Sequence, residues 1–120
     1  MQTLVTFVFK FLAALPLAWL HKLGNLLGSL GFRVLSKDRR RVFENMTLAG
    51  LNPTDEVVKK VFRETAKGGL ELPVAFFRRP EEIENLFVSV NGWEHVQTAL
   101  SAGEGLLFIT PHIGSYDLAG

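Results

Sequence analysis

The stretch "LFVSVNGWEHVQTALSAGEGLLFITPH", Leu86 to His112, decides how this chain is read. Phe87 to Val90 is short and mostly apolar, as a strand is. Asn91-Gly92 is a turn signal. Trp93 to Ser101 carries helical spacing, with Val96 and Leu100 expected inward, and Gly103 stands where a helix takes its left-handed C′ residue. Leu106 to Thr110 is a second apolar run without alternation, the pattern of a strand covered on both faces. Strand, helix and strand, with a crossover of that length, predict parallel pairing. The fold class expected from this stretch is α/β.

Outward toward the end of the chain lies "ITPHIGSYDLAG", Ile109 to Gly120. His112 falls just past the C-terminal end of the expected strand, where ligand sites of open parallel sheets gather. A new helix is expected to begin near Ser115. Five helical positions turn the chain through about 500°, a net of about 140°, so His112 and Asp117 would diverge within one helix. They meet only if His112 lies on the loop and Asp117 on the first helical turn, with Gly114 allowing a tight backbone between them. A carboxylate on one ring nitrogen would fix the tautomer and stabilise the imidazolium. The other nitrogen would then take a proton from a substrate hydroxyl. The plainer alternative makes Ser115 an N-cap, Asp117 a favourable first-turn charge and His112 a loop residue bonded to backbone.

Outward in the other direction, "GLNPTDEVVKKVFRETAKGGLELPVAFF" opens with a helix signal. Asn52 suits an N-cap, Pro53 the first helical position, and Asp55 and Glu56 the positive end of the dipole. Val58, Val61, Phe62, Thr65, Ala66, Gly69 and Leu70 then recur at three and four, a core-packing stripe. Gly68-Gly69 and Pro73 weaken the helix and predict a bend before "VAFF". In "RRPEEIENLF", one helix ends and a short one begins at Pro80.

The first thirty-five residues are the most apolar part. "TLVTFVFKFLAALPLAWL", Thr3 to Leu20, has Lys10 as its one charge. A helix from Leu4 to Leu20 would be roughly 25 Å long, short of the roughly 30 Å of a hydrocarbon core. Pro16 permits a kink. No basic segment precedes the run, as a secretory signal would require. From Trp19 the apolar residues keep helical spacing, and Gly24, Gly28 and Gly31 cluster on a neighbouring face, which lets a helix or membrane interface approach closely. "SKDRRRVFEN" follows directly, and basic residues beside an apolar segment favour the cytoplasmic side and anionic headgroups. Residues 1–35 are therefore expected to anchor the chain to a membrane, by spanning it or by lying in its interface. A core helix of a soluble bundle is the alternative.

Composition bounds the rest. Of 120 residues, 13 are Lys or Arg and 12 Asp or Glu, and the net charge of +1 argues against nucleic acid as partner. No cysteine is present, which excludes disulfides and thiolate metal sites.

These residues resemble the bacterial lipid A biosynthesis acyltransferases, the late lauroyl and myristoyl transferases. "VNGWEHVQTALSAGEGLLFITPHIGSYDLAG" is similar to the region around that family's H-x4-D/E motif. There a G-x-E-H helix start, a G-x-G turn, an apolar strand and H-x-G-N-W/Y-E follow in this order. An apolar anchor, a basic run into an N-x-x-L segment (Arg39 to Leu48) and an acidic-capped helix precede it, as here. The resemblance implies apolar N-terminal helices followed by residues 36–120 as the incomplete start of a mixed α/β acyltransferase domain of the glycerolipid-acyltransferase kind. It implies an enzyme on the cytoplasmic face of the inner membrane. The acyl donor would be acyl carrier protein and the acceptor a hydroxyl of a lipid A precursor. His112 would be the general base and Asp117 its partner, with no cofactor and no metal. Ser115, Tyr116 and Asp117 depart from the family's commoner Asn, aromatic and Glu. Family members are longer, so the resemblance also implies an N-terminal part, inactive alone. Two rivals remain at this point: an acyltransferase for another membrane lipid, and a membrane-associated module without catalysis.

Overall fold

The computed structural model describes residues 2–103, 105–109 and 118. They form α1 (Gln2–Ala14), α2 (Leu17–Val34), α3 (Ser36–Leu48), α4 (Asp55–Phe77), α5 (Pro80–Glu84) and α6 (Trp93–Ser101). No strand occurs among the described residues, and the α/β expectation is corrected to an all-helical arrangement. The reason lies in backbone pairing. Phe87 to Val90 and Leu106 to Ile109 do lie outside the helices, but neither carries a ladder. Val88 and Ile109 are exposed at 102% and 89%. An extended segment becomes a strand through a neighbour's N–H and C=O groups, and two strands alone are marginal in water. The helix between them forms as the spacing predicts, with Gly92 at φ +81° before it and Gly103 at φ +72° after it. Leu100, expected inward, is exposed.

The body of the fold is α2 packed antiparallel on α4. Glycine makes the approach possible. A Cβ on Gly28 would lie 2.4 Å from Arg63 Cα and 2.6 Å from the Phe62 carbonyl oxygen, and one on Gly24 2.9 Å from Lys67 Cα. Helices this close bury Leu20 of α2 and Val58 and Val74 of α4 completely, each worth about 1.5–3 kcal/mol over exposure. Farther along the pair, Phe32 meets Phe62 edge-on at 6.0 Å.

α4 begins two residues later than its sequence signals. Thr54, not Asn52, is the N-cap, its hydroxyl accepting the Val57 N–H at 3.3 Å. Asp55 and Glu56 occupy the first turn as expected. The helix runs unbroken through Pro73, which is buried. That proline forfeits the hydrogen bond to the Gly69 carbonyl, and Val74 beside it is fully buried. α5 opens at Pro80, where the Arg79 N–H donates to Glu82 Oε2 at 3.1 Å.

Between α1 and α2 the chain bends by 117°. Pro16 has no N–H to continue α1 and pushes Leu15 out of the helical region. α1 then packs against the C-terminal part of α4, with Ala13 buried and Phe9 edge-on to Phe77 at 6.4 Å.

Candidate functional site

His112, Gly114 and Asp117 lie outside the described residues. The segment before them, Leu106 to Ile109, lies outside the helices and is exposed. The described residues show instead the helical framework that precedes the motif and the polar groups built into it.

A histidine–carboxylate pair does occur in that framework, at a place the sequence reading did not single out. His21 on α2 donates from Nε2 to Glu71 Oε1 on α4 at 2.5 Å. Glu71 is buried, 7% exposed, while the His21 side chain is about a third exposed. The pair sits one turn beyond the contact of Gly24 with Lys67, where α2 and α4 are close enough for short side chains to meet. A buried carboxylate needs such a donor, because leaving it unpaired costs more than the bond contributes. Its role is to fasten the two helices. The signal in the sequence was positional: His21 follows the same three- and four-residue spacing as Gly24 and Gly28, and Glu71 that of Arg63 and Lys67.

Arg78, at the end of α4, closes the bend. Its Nε donates to the Ala13 carbonyl at 2.8 Å and its Nη2 to the Leu15 carbonyl at 2.6 Å. Carbonyls in the last turn of a helix have no partner inside it, and a cation there also meets the negative end of the dipole. Beside this clamp opens a cleft of about 640 Å³, lined by Lys10, Ala13, Ala14, Pro16, Phe77, Arg78, Glu82 and Asn85. Glu82 is held below the ordinary carboxylate range by the Arg79 backbone N–H and then by the Arg79 guanidinium. Glu64, on α4, is likewise lowered, chiefly by the hydrogen bond from Lys67 Nζ at 2.9 Å.

Arg39, Arg40, Arg41, Arg78 and Arg79 divide by what they bind. Arg78 is spent on backbone. Arg39 donates to the Phe32 carbonyl at 3.2 Å and lies 5.2 Å over the Phe32 ring, tying α3 back to α2. Arg40, Arg41 and Arg79 face solvent, each beside an acid three or four residues away: Glu44, Asp38 and Glu82. Such exposed pairs are weak, so these three guanidinium groups are the ones free to exchange partners with an acidic surface. Between α2, α3 and α4 runs an apolar groove of about 360 Å³ whose lining includes Leu27, Leu35, Val42, Val61 and Phe62.

Neither a curated protein nor a solved structure matches the chain. A family model described as "Bacterial lipid A biosynthesis acyltransferase" matches residues 1–120. With the apolar helices, the basic α3, the Thr54-capped α4 and the H-x4-D segment all inside that match, the chain belongs to the bacterial lipid A biosynthesis acyltransferase family.

Proposed function

We propose that this chain provides the membrane-proximal framework and the general base of an enzyme that moves a fatty acyl group from acyl carrier protein to a lipid A precursor hydroxyl. The observation that carries the reading is the family match across residues 1–120, which takes in His112 and Asp117 at H-x4-D spacing.

In this mechanism His112 removes the proton from the acceptor hydroxyl. The oxygen attacks the thioester carbonyl carbon, and Asp117 stabilises the imidazolium that forms. The tetrahedral intermediate collapses, the carbon–sulfur bond breaks, and the leaving thiolate recovers the proton from His112. The acceptor supplies its own nucleophile, so the protein needs no serine or cysteine to carry the acyl group. Arg40, Arg41 and Arg79 are the groups suited to the acidic surface of the carrier. Residues 1–35 hold the assembly at the cytoplasmic face of the inner membrane.

The test is mass spectrometry of lipid A from a strain lacking the gene, complemented with variants. The native gene restores the missing acyl chain. His112→Ala does not, at unchanged abundance and membrane recovery, because loss of a positioned base costs about 10²–10⁴ in rate. Lipid A that is identical with and without the gene would refute the assignment.

A further inference from the structure

The apolar N-terminal helices carry an inference about how the membrane is met, which rests on the membrane placement proposed above. We propose that α1 and α2 sit in a single leaflet as a bent pair that does not cross the bilayer, so that the N-terminus and α6 lie on the same side.

Length is the first argument. α1 has 13 residues, about 20 Å at about 1.5 Å each, against a hydrocarbon core of about 30 Å. No single described helix is long and apolar enough to cross, and α1 with α2 would suffice only as a bent pair. The second argument is that the bend is held. Straightening it would break both hydrogen bonds from Arg78 to the Ala13 and Leu15 carbonyls and separate Phe9 from Phe77. The third is that α2 is not free to leave the body of the fold. Gly24 and Gly28 seat it on α4, and His21 is bonded to Glu71. A crossing α2 would draw Glu71, Arg63 and Lys67 toward hydrocarbon, where charged side chains are costly even when paired.

What faces away from α4 fits a leaflet. On α1, Leu4, Phe7 and Phe11 form one exposed stripe opposite buried Ala13, and on α2 Trp19, Leu26 and Leu30 form another. Charge selects the occupant. Before Asp38 the chain contains Lys10, Lys22, Arg33 and Lys37 and no acidic residue. An apolar face edged only by cations complements anionic headgroups over hydrocarbon. Lys22 lies 5.8 Å from the Trp19 ring, an aromatic and a cation together at the depth where headgroups meet acyl chains.

The chain has no cysteine, so topology can be read with single thiols. One version carries a short hydrophilic N-terminal tag with one cysteine, and a second carries Ser101→Cys at the end of α6. Each is treated with a membrane-impermeant maleimide, once in inverted inner-membrane vesicles and once in intact spheroplasts. Both thiols are expected to react in the vesicles and neither in the spheroplasts. A tag that reacts only in spheroplasts, while Ser101→Cys reacts only in vesicles, shows a crossing and overturns the proposal. Recovery of the chain in the soluble fraction, as monomer or dimer, removes the membrane placement itself and the proposal with it.

Discussion

Gly28 of α2 and Arg63 of α4 approach so closely that a methyl group on Gly28 would lie 2.4 Å from the Arg63 Cα. The obstacle is backbone, which cannot rotate aside. Gly28→Ala should therefore destabilise the fold by about 2–3 kcal/mol through overpacking. Gly68→Ala, within α4 with nothing inside 4 Å of the added carbon, should stabilise by about 0.5–1 kcal/mol through helix propensity. Thermal melts of the two variants check both signs. Equal effects would mean that the close approach is absent in solution.

The His21–Glu71 bond gives an asymmetric prediction. His21→Ala leaves a buried carboxylate short of a donor and should cost about 1–3 kcal/mol. Glu71→Gln keeps an acceptor and should cost less. Neither should abolish acyl transfer at permissive temperature, which separates this structural histidine from His112. The checks are chemical denaturation and lipid A mass spectrometry on the same variants.

Arg78→Met keeps a long side chain but removes both donors to the Ala13 and Leu15 carbonyls. A hydrogen bond from a charged group contributes about 1.5–3 kcal/mol. α1 should come away from α4 while α2 stays in place. Limited proteolysis should then cut near Pro16 at least several-fold faster than in the native chain, with α4 still protected in hydrogen exchange.

Acid should loosen two helix segments. Glu64 and Glu82 both sit below the ordinary carboxylate value of 4.5 in the folded chain. The unfolded chain therefore binds their protons first as pH falls. Their contribution is complete above 4.5 and is lost as pH drops through the lower folded values. Helical circular dichroism followed from neutral pH downward should show this acid limb. Glu64→Gln with Glu82→Gln should flatten it.

Asp117 can be tested by reach and by charge. Asp117→Glu restores the residue commoner in the family and should retain most acyl transfer. Asp117→Asn keeps the size and removes the charge proposed to stabilise the imidazolium, and under the proposed mechanism should lose it. Similar rates from the two variants would count against an imidazolium intermediate.

The helices were legible where spacing and punctuation agreed. Trp93 to Ser101, bracketed by Gly92 and Gly103, ends where its signals place it, and Pro80 starts α5. Gly24 and Gly28 announced a close helix contact, though not that α4 would supply it. The Asn52 signal failed because Thr54 offered the same side-chain oxygen nearer to Asp55 and Glu56. The strands failed for another reason. Apolar, β-branched residues describe what a sheet can use, but pairing is a property of neighbours, and among the described residues Phe87 to Val90 and Leu106 to Ile109 have no strand beside them. Arg78 could not be read from sequence, because its partners are carbonyls freed only by the break at Pro16.

The Arg78 clamp also orders events in time. Its acceptors on Ala13 and Leu15 precede it by 65 and 63 residues. At about 5–20 residues per second on the ribosome, roughly 3–13 s separate the two halves of this contact. During that interval the most apolar helix is already made, and the surface that covers its inner side is not. Whatever binds exposed apolar helices during synthesis can thus reach this one before α4 does, and its docking on α4 is a late step of folding.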